Sequence, residues 1–169
     1  MPAFQTLVVA TDFSETAEEA LNVAVEMARG TSRRLELVTV VPDAVHQPSM
    51  LEARGIDFMA MQRVWLDAAT QEIEALVRRR QLDPSMVRTH VLTGRPDAEI
   101  VRFAQERGAD LIVMGTRGYG GVKRLLLGSV ADHVLRQATC PVLVVPAAAQ
   151  QDDATPATRR REAVTPPAS

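Results

Sequence analysis

The stretch LIVMGTRGYGGVKRLLLGSVADHVL, residues 111–135, contains the pattern that decides the fold. It opens with four consecutive apolar residues, a run of strand length without polar alternation, which is typical of a strand buried on both faces of a parallel sheet. A glycine-rich turn follows, and from Ser129 onward apolar residues recur at helical spacing. The stretch therefore predicts a strand, a turn and a helix in succession.

The same alternation continues through the rest of the chain. Other strand-length apolar runs are Leu7–Ala10, Leu35–Val41 and Val142–Val145, and a weaker run, Met86–Leu92, alternates with polar residues as an edge strand would. Amphipathic segments predict helices over Thr16–Arg29, Met50–Arg80, Asp97–Arg107 and Ser129–Ala138. Because strands and helices alternate strictly, we predict an α/β fold: an open, doubly wound, five-stranded parallel sheet with helices on both faces.

The composition indicates one globular domain followed by a tail. The chain has 169 residues, of which 46% are hydrophobic and 24% charged, as in ordinary globular proteins. Residues 1–146 contain every predicted element, whereas residues 147–169 have almost nothing to bury and are expected to form a disordered tail. The single cysteine excludes an intramolecular disulfide and a cysteine-based zinc site.

Charge and hydropathy narrow the expected partners and location. The 19 basic and 21 acidic residues leave a formal net charge of −2, so no global field would attract nucleic acid or an anionic membrane. No signal-peptide pattern opens the sequence, and no segment approaches the ~18 consecutive apolar residues that a membrane helix needs. We expect a cytoplasmic protein that binds neither nucleic acid nor membrane.

The predicted fold places ligand chemistry beyond the carboxyl ends of the strands, where the strand order reverses. The most informative region there runs from Gly115 to Ser129. Gly115 and Gly118 would let a ligand approach the backbone, and Gly128-Ser129 would begin a helix whose first N–H groups face outward. Together with the positive end of the helix dipole, this arrangement favours an anion such as phosphate. Neutralising charge would come from the intervening residues Arg117, Lys123 and Arg124.

Two common phosphate-binding patterns are absent. No run fits Gly-x-x-x-x-Gly-Lys-Ser/Thr, and the dinucleotide pattern Gly-x-Gly-x-x-Gly fails because its third glycine falls on Lys123. A phosphate at this turn would therefore be bound in another way.

The spacing Gly115-x2-Gly118-x9-Gly128-Ser129 resembles the nucleotide motif of the ATP-binding universal stress proteins. The flanking segments ATDFSETAEEAL, VMGTRGYGG, RLLLGSVADHVL and CPVLVVP are similar to that family as well, and the likeness spans residues 4 to 146. The resemblance implies a Rossmann-like universal stress protein fold. It also implies bound ATP, with Mg²⁺ or Mn²⁺ on the phosphates.

The resemblance also implies roles for single residues. The four motif residues would hold the phosphates and ribose, and Val130 would add a backbone amide. Asp12 would contact the nucleoside portion or the metal, and Val40 would border the adenine. The full implied set of nucleotide-binding residues is Ala10, Thr11, Asp12, Val40, Met114, Gly115, Arg117, Gly118, Gly128, Ser129 and Val130.

The resemblance implies a regulatory protein rather than an efficient enzyme, acting on a protein partner that the sequence does not identify. The family's final strand commonly pairs with its copy, and an uncovered edge strand at Val142–Val145 invites a homodimer. Two alternatives stay open: an interaction module of the same fold that binds no nucleotide, and a slow ATPase or adenylyl-transferring enzyme.

Purely structural alternatives also exist for the main site residues. Asp12-Phe-Ser-Glu15 fits a capping box for the first helix, with Ser14 as the other candidate cap. Ser129 would serve equally as a plain helix N-cap, and the glycines as turn punctuation.

Overall fold

The computed structural model describes residues 4–43, 57–116 and 127–146. The strands are β1 (Thr6–Ala10), β2 (Arg34–Val41), β3 (Val87–Thr93), β4 (Leu111–Gly115) and β5 (Val142–Val145). The helices are α1 (Glu15–Ala28), α2 (Phe58–Arg79), α3 (Pro96–Glu106) and α4 (Ser129–Gln137). They alternate along the chain as the sequence predicts. The tail, residues 147–169, lies outside the described residues.

The strands form one sheet in the order β3-β2-β1-β4-β5, and each neighbouring pair is parallel. The chain proceeds from β1 through β2 to β3 at one edge, then returns to place β4 on the other side of β1. The predicted open, doubly wound, five-stranded sheet is thereby confirmed. β3 lies at an edge, as its alternating pattern predicts, and β5 forms the opposite edge.

Apolar layers cover both faces of the sheet. Successive residues of β1 enter opposite layers: Leu7 and Val9 pack with α1 and α2, whereas Val8 and Ala10 pack with α3 and α4. Burial of both faces explains why the strand sequences are apolar without alternation. Each fully buried Val, Leu or Ile contributes roughly 1.5–3 kcal/mol relative to exposure, so these layers are the main source of stability.

The helix ends follow local sequence signals. Ser14 caps α1, its side chain accepting from the Ala17 amide, and Gly30 follows the helix with φ +67°, a conformation that glycine adopts readily. Asp57 caps α2 by accepting from the Ala60 amide at 3.0 Å. The helix predicted over Met50–Arg80 therefore begins at Phe58 in the described chain, and residues 50–56 lie outside it.

A buried acid–base contact joins β2 and β3. The Glu36 side chain is 4% exposed, and its Oε2 lies 2.6 Å from Nε2 of His90. The His90 ring packs against Phe103 of α3 with ring centroids 4.7 Å apart, and the guanidinium of Arg107 lies 5.0 Å from the Phe103 ring centroid. A buried carboxylate destabilises the fold unless it has a partner. The contact with His90 therefore offsets part of the free-energy cost of burying Glu36 inside the sheet.

Asp110 ties the start of β4 to the start of β1. Its Oδ2 accepts hydrogen bonds from the Gln5 and Thr6 amides, each at 2.9 Å, and its own amide donates to the Thr6 carbonyl at 2.9 Å. The two amides favour the ionised carboxylate and lower the pKa of Asp110. This clamp aligns the starts of the two neighbouring strands.

No helix in the described part of the chain combines the length and the apolar character needed to cross a membrane.

Candidate functional site

The carboxyl ends of β1 and β4 lie side by side where the strand order reverses. Their register pairs Leu7 with Leu111 and Val9 with Val113. Continued beyond the strands, this register places Thr11 and Asp12 beside Gly115 and Thr116. β2 joins the same edge, because Ala10 pairs with Val38 and the Thr11 amide donates to the Val38 carbonyl at 2.9 Å. The predicted residues of three strands therefore meet at one edge, the usual ligand position of an open α/β sheet.

A tight turn orients Asp12 immediately after β1. Phe13 has φ +64°, a left-handed conformation that is unfavourable for a bulky side chain, and its amide donates to Thr11 Oγ1 at 3.0 Å. The chain thereby turns back so that both the amide and the hydroxyl of Ser14 donate to Asp12 Oδ1, at 3.2 and 2.6 Å. Of the two candidate caps, Ser14 is the residue that caps α1. Asp12 is exposed and held by this turn.

Gly115 is required by packing at this edge. A Cβ on Gly115 would lie 2.7 Å from Thr16 Oγ1 and 2.8 Å from the Thr16 backbone C and O atoms. The first turn of α1 therefore sits directly against the end of β4. The sequence predicted that Gly115 would let a ligand approach the backbone. The structure shows in addition that Gly115 lets α1 and β4, which are far apart in the chain, approach each other closely.

The start of α4 has a glycine at its N-cap position. Its N-cap is Gly128, in extended backbone conformation (φ −76°, ψ 158°), and within residues 4–43, 57–116 and 127–146 no side chain caps the first helical amides. The alternative interpretation of Ser129 as N-cap is wrong, because Ser129 is the first helical residue. The Gly128 amide donates to the Thr116 carbonyl at 2.7 Å, and the Thr116 amide donates to the Val145 carbonyl at 2.9 Å. These bonds attach the start of α4 to the ends of β4 and β5.

The hydroxyl of Thr116 adds a polar atom at this junction. Its Oγ1 is buried and has no hydrogen-bond partner within residues 4–43, 57–116 and 127–146. A buried hydroxyl left without a partner is destabilising. A polar group that approaches the junction of β4 and α4 would find a donor there.

The other predicted residues occupy different positions around the edge. Ala10 and Met114 are buried in the layer under α3 and α4, so their side chains belong to the core. Val40 is half-buried near the end of β2, and Ser129 is exposed at the start of α4 with Val130 beside it. Arg117 and Gly118 lie outside the described residues, as do Lys123 and Arg124.

Asp97 is a buried acid at the start of α3, close to the carboxyl end of β3. Burial raises its pKa, but the Arg95 guanidinium at 2.8 Å and nearby backbone amides outweigh that effect and hold the pKa below its usual value. In this structure the Asp97 carboxylate forms an ion pair with Arg95 at the start of α3.

The described groups at this edge include helix amides, which can donate to an anion. Within the described ranges, no three His, Cys, Asp or Glu side chains are grouped so as to hold a metal.

Sequence reasoning missed Thr16 and the strained Phe13. The sequence contains no signal that α1 packs against β4 at Gly115. The sequence predicted the segment Thr11-Asp12-Phe13-Ser14 only as a helix start. The signal for its turn is Asp12 two residues before Ser14, because an Asp side chain commonly accepts a hydrogen bond from the residue two positions later.

The fold and site define an open α/β protein in which a glycine-capped helix begins at the topological switch point of the sheet. The model of the universal stress protein family matches residues 3–146, and the chain belongs to that family. A universal stress protein of Methanocaldococcus jannaschii is 34% identical over 142 residues, covering 84% of this chain and 82% of the relative.

Solved structures agree with this assignment. The structure of a second M. jannaschii universal stress protein has a TM-score of 0.73 and 27% identity, covering 85% of this chain and 96% of that one. A universal stress protein of Archaeoglobus fulgidus, solved in complex with dAMP, has a TM-score of 0.55 and 25% identity, covering 85% and 98%.

Proposed function

We propose that this protein binds an adenine nucleotide, ATP, at the carboxyl edge of its sheet, and that the bound nucleotide regulates its contacts with a protein partner in the cytoplasm. The observation that carries the proposal is the glycine-capped start of α4, attached through Thr116 to the end of β4. β4 neighbours β1, and Asp12 lies in the turn that follows β1. Family membership supports it, as does the dAMP complex of the A. fulgidus relative.

In this proposal the phosphates lie at the first amides of α4. The N–H groups of Ser129 and Val130 donate to phosphate oxygens, helped by the positive end of the helix dipole. Gly115 lies at the end of β4, and Arg117 and Gly118, outside the described residues, are further nucleotide-binding residues of the proposal. Mg²⁺ or Mn²⁺ offsets part of the remaining phosphate charge. A carboxylate beside a triphosphate is repulsive, so Asp12 acts on the ribose, the adenine or the metal rather than on bare phosphate.

The nucleoside end lies toward β1 and β2. Val40, half-buried near the end of β2, offers an apolar border and backbone groups to the adenine. Ala10, Thr11 and Met114 contribute through backbone atoms, because all three are buried. We propose binding rather than catalysis. The described groups at this edge are helix amides, glycine backbone, the Thr116 hydroxyl and the Asp12 carboxylate, which Ser14 holds.

We also propose that the protein is a homodimer through β5. This strand is an edge of the sheet, its four apolar residues are all partly exposed, and prolines flank it at positions 141 and 146. An exposed apolar edge of this kind pairs readily with a copy of itself about a twofold axis. Sedimentation equilibrium should give twice the chain mass of 18.4 kDa, and a monomer at micromolar concentration would refute this part of the proposal.

The decisive experiment changes the cap of α4 without damaging the fold. Gly128→Asp introduces a favoured N-cap at a φ that any residue adopts, so the free energy of unfolding should stay equal or rise by up to ~1 kcal/mol. The new carboxylate occupies the helix amides and repels phosphate. The Kd for ATP, measured by calorimetry, should therefore rise about 50-fold or more.

Gly128→Asn is the matched control, since it caps the helix without adding charge and should weaken ATP binding by only about 5- to 10-fold. If Gly128→Asp binds ATP as tightly as the wild type, the phosphates do not lie at α4. If the wild type binds none of ATP, ADP, AMP, dAMP or cAMP at 1 mM, the chain is an interaction module of the same fold.

A further inference from the structure

We propose that Ser14 is a positioning residue of the nucleotide site, holding the Asp12 carboxylate in the orientation that a bound nucleoside contacts. This inference rests on the function proposed above. Ser14 is the N-cap of α1, and it also contacts the Asp12 carboxylate.

Ser14 binds Asp12 through two donors at once. Its hydroxyl lies 2.6 Å and its amide 3.2 Å from the same oxygen, Oδ1 of Asp12. A short hydrogen bond from a hydroxyl to an ionised carboxylate is among the stronger kinds in proteins. The contact restricts the rotamers of Asp12, so less side-chain freedom is lost when a ligand binds.

The backbone at Phe13 is strained where the chain turns to bring Ser14 onto Asp12. Phe13 stands between the two residues with φ +64°, which is unfavourable for an aromatic residue. Its amide is satisfied by Thr11 Oγ1, so the turn is stabilised from the β1 side as well. Strain of this kind persists where the surroundings demand it and is concentrated at binding sites.

Ser14 also connects Asp12 to the rigid part of the site. Its Oγ accepts from the Ala17 amide at 3.4 Å and lies 3.2 Å from Thr16 Oγ1. Thr16 in turn packs against Gly115 so closely that no Cβ fits between them. The Asp12 carboxylate is therefore connected to the first turn of α1, which packs against Gly115 at the end of β4.

The test separates positioning from capping. Ser14→Ala should raise the Kd for ATP about 5- to 10-fold. Ser14→Gly should do the same with a smaller loss of stability, because glycine is tolerated at N-caps. Ser14→Thr keeps the hydroxyl and should bind within twofold of the wild type. Thr31→Ala is the matched control: the Thr31 hydroxyl donates to the Ala28 carbonyl at the other end of α1, so its loss affects only stability.

A double-mutant comparison identifies the route of the effect. If Ser14 acts through Asp12, Ser14→Ala should change the Kd by less than twofold in an Asp12→Ala background. An equal effect in both backgrounds overturns the inference, and so does wild-type affinity in Ser14→Gly. These results differ from failure of the proposed function, in which the wild type itself binds no adenine nucleotide.

Discussion

Replacement of Gly115 by alanine should destabilise the protein because of one close contact. The new Cβ would meet the Thr16 backbone C and O atoms at 2.8 Å, and ordinary contact begins near 3.4 Å. The end of β4 and the first turn of α1 must therefore separate by about 0.6 Å, and backbone atoms cannot rotate away as a flexible side chain would. Overpacking of this kind costs about 2–3 kcal/mol, equivalent to a fall in Tm of roughly 5–10 °C for a domain of this size.

Urea unfolding followed by circular dichroism measures this loss, and two variants test its cause. Gly30→Ala introduces a Cβ at φ +67° with nothing within 4 Å, so it should cost only the conformational penalty of about 1 kcal/mol. Gly115→Ala combined with Thr16→Ala should stay destabilised, since the closest backbone atoms remain. Stability of Gly115→Ala within 0.5 kcal/mol of the wild type, or full rescue by Thr16→Ala, would refute the packing argument.

Two further predictions concern the buried pair and the strand clamp. His90→Leu should lower the free energy of unfolding by about 2–4 kcal/mol, because it removes the partner of the buried Glu36 carboxylate. Combining it with Glu36→Leu should recover most of that loss. Chemical denaturation measures both variants, and no recovery in the double variant would contradict this reasoning. The Asp110 pKa is lowered, so its stabilising effect is complete above the unfolded-state pKa of about 4 and is lost as the pH falls through the folded-state pKa. Asp110→Asn should therefore be less stable than the wild type at pH 7, with a gap that narrows below pH ~4 in urea titrations; a gap independent of pH would exclude the clamp as its source.

The fold was predictable because its signals are local. Strand runs such as Leu35–Val41 are apolar without alternation, and burial on both faces of a parallel sheet produces that pattern directly. The weaker, alternating β3 segment predicted its edge position for the same reason. Helix bounds were less predictable, as α2 shows, since its start depends on the side chain of Asp57 at a position inside a longer amphipathic pattern.

By itself, the sequence determined the class of fold, the family and the segment that would carry an anion site, because hydrophobic periodicity and glycine spacing are properties of neighbouring residues. Only the tertiary structure decided that Ser14 rather than Asp12 caps α1, that Gly128 rather than Ser129 caps α4, and that Thr16 rests on Gly115. The contact of Thr16 with Gly115 depends on how elements distant in the chain approach one another. Such distances are set by packing of the two core layers, which no short stretch of sequence encodes.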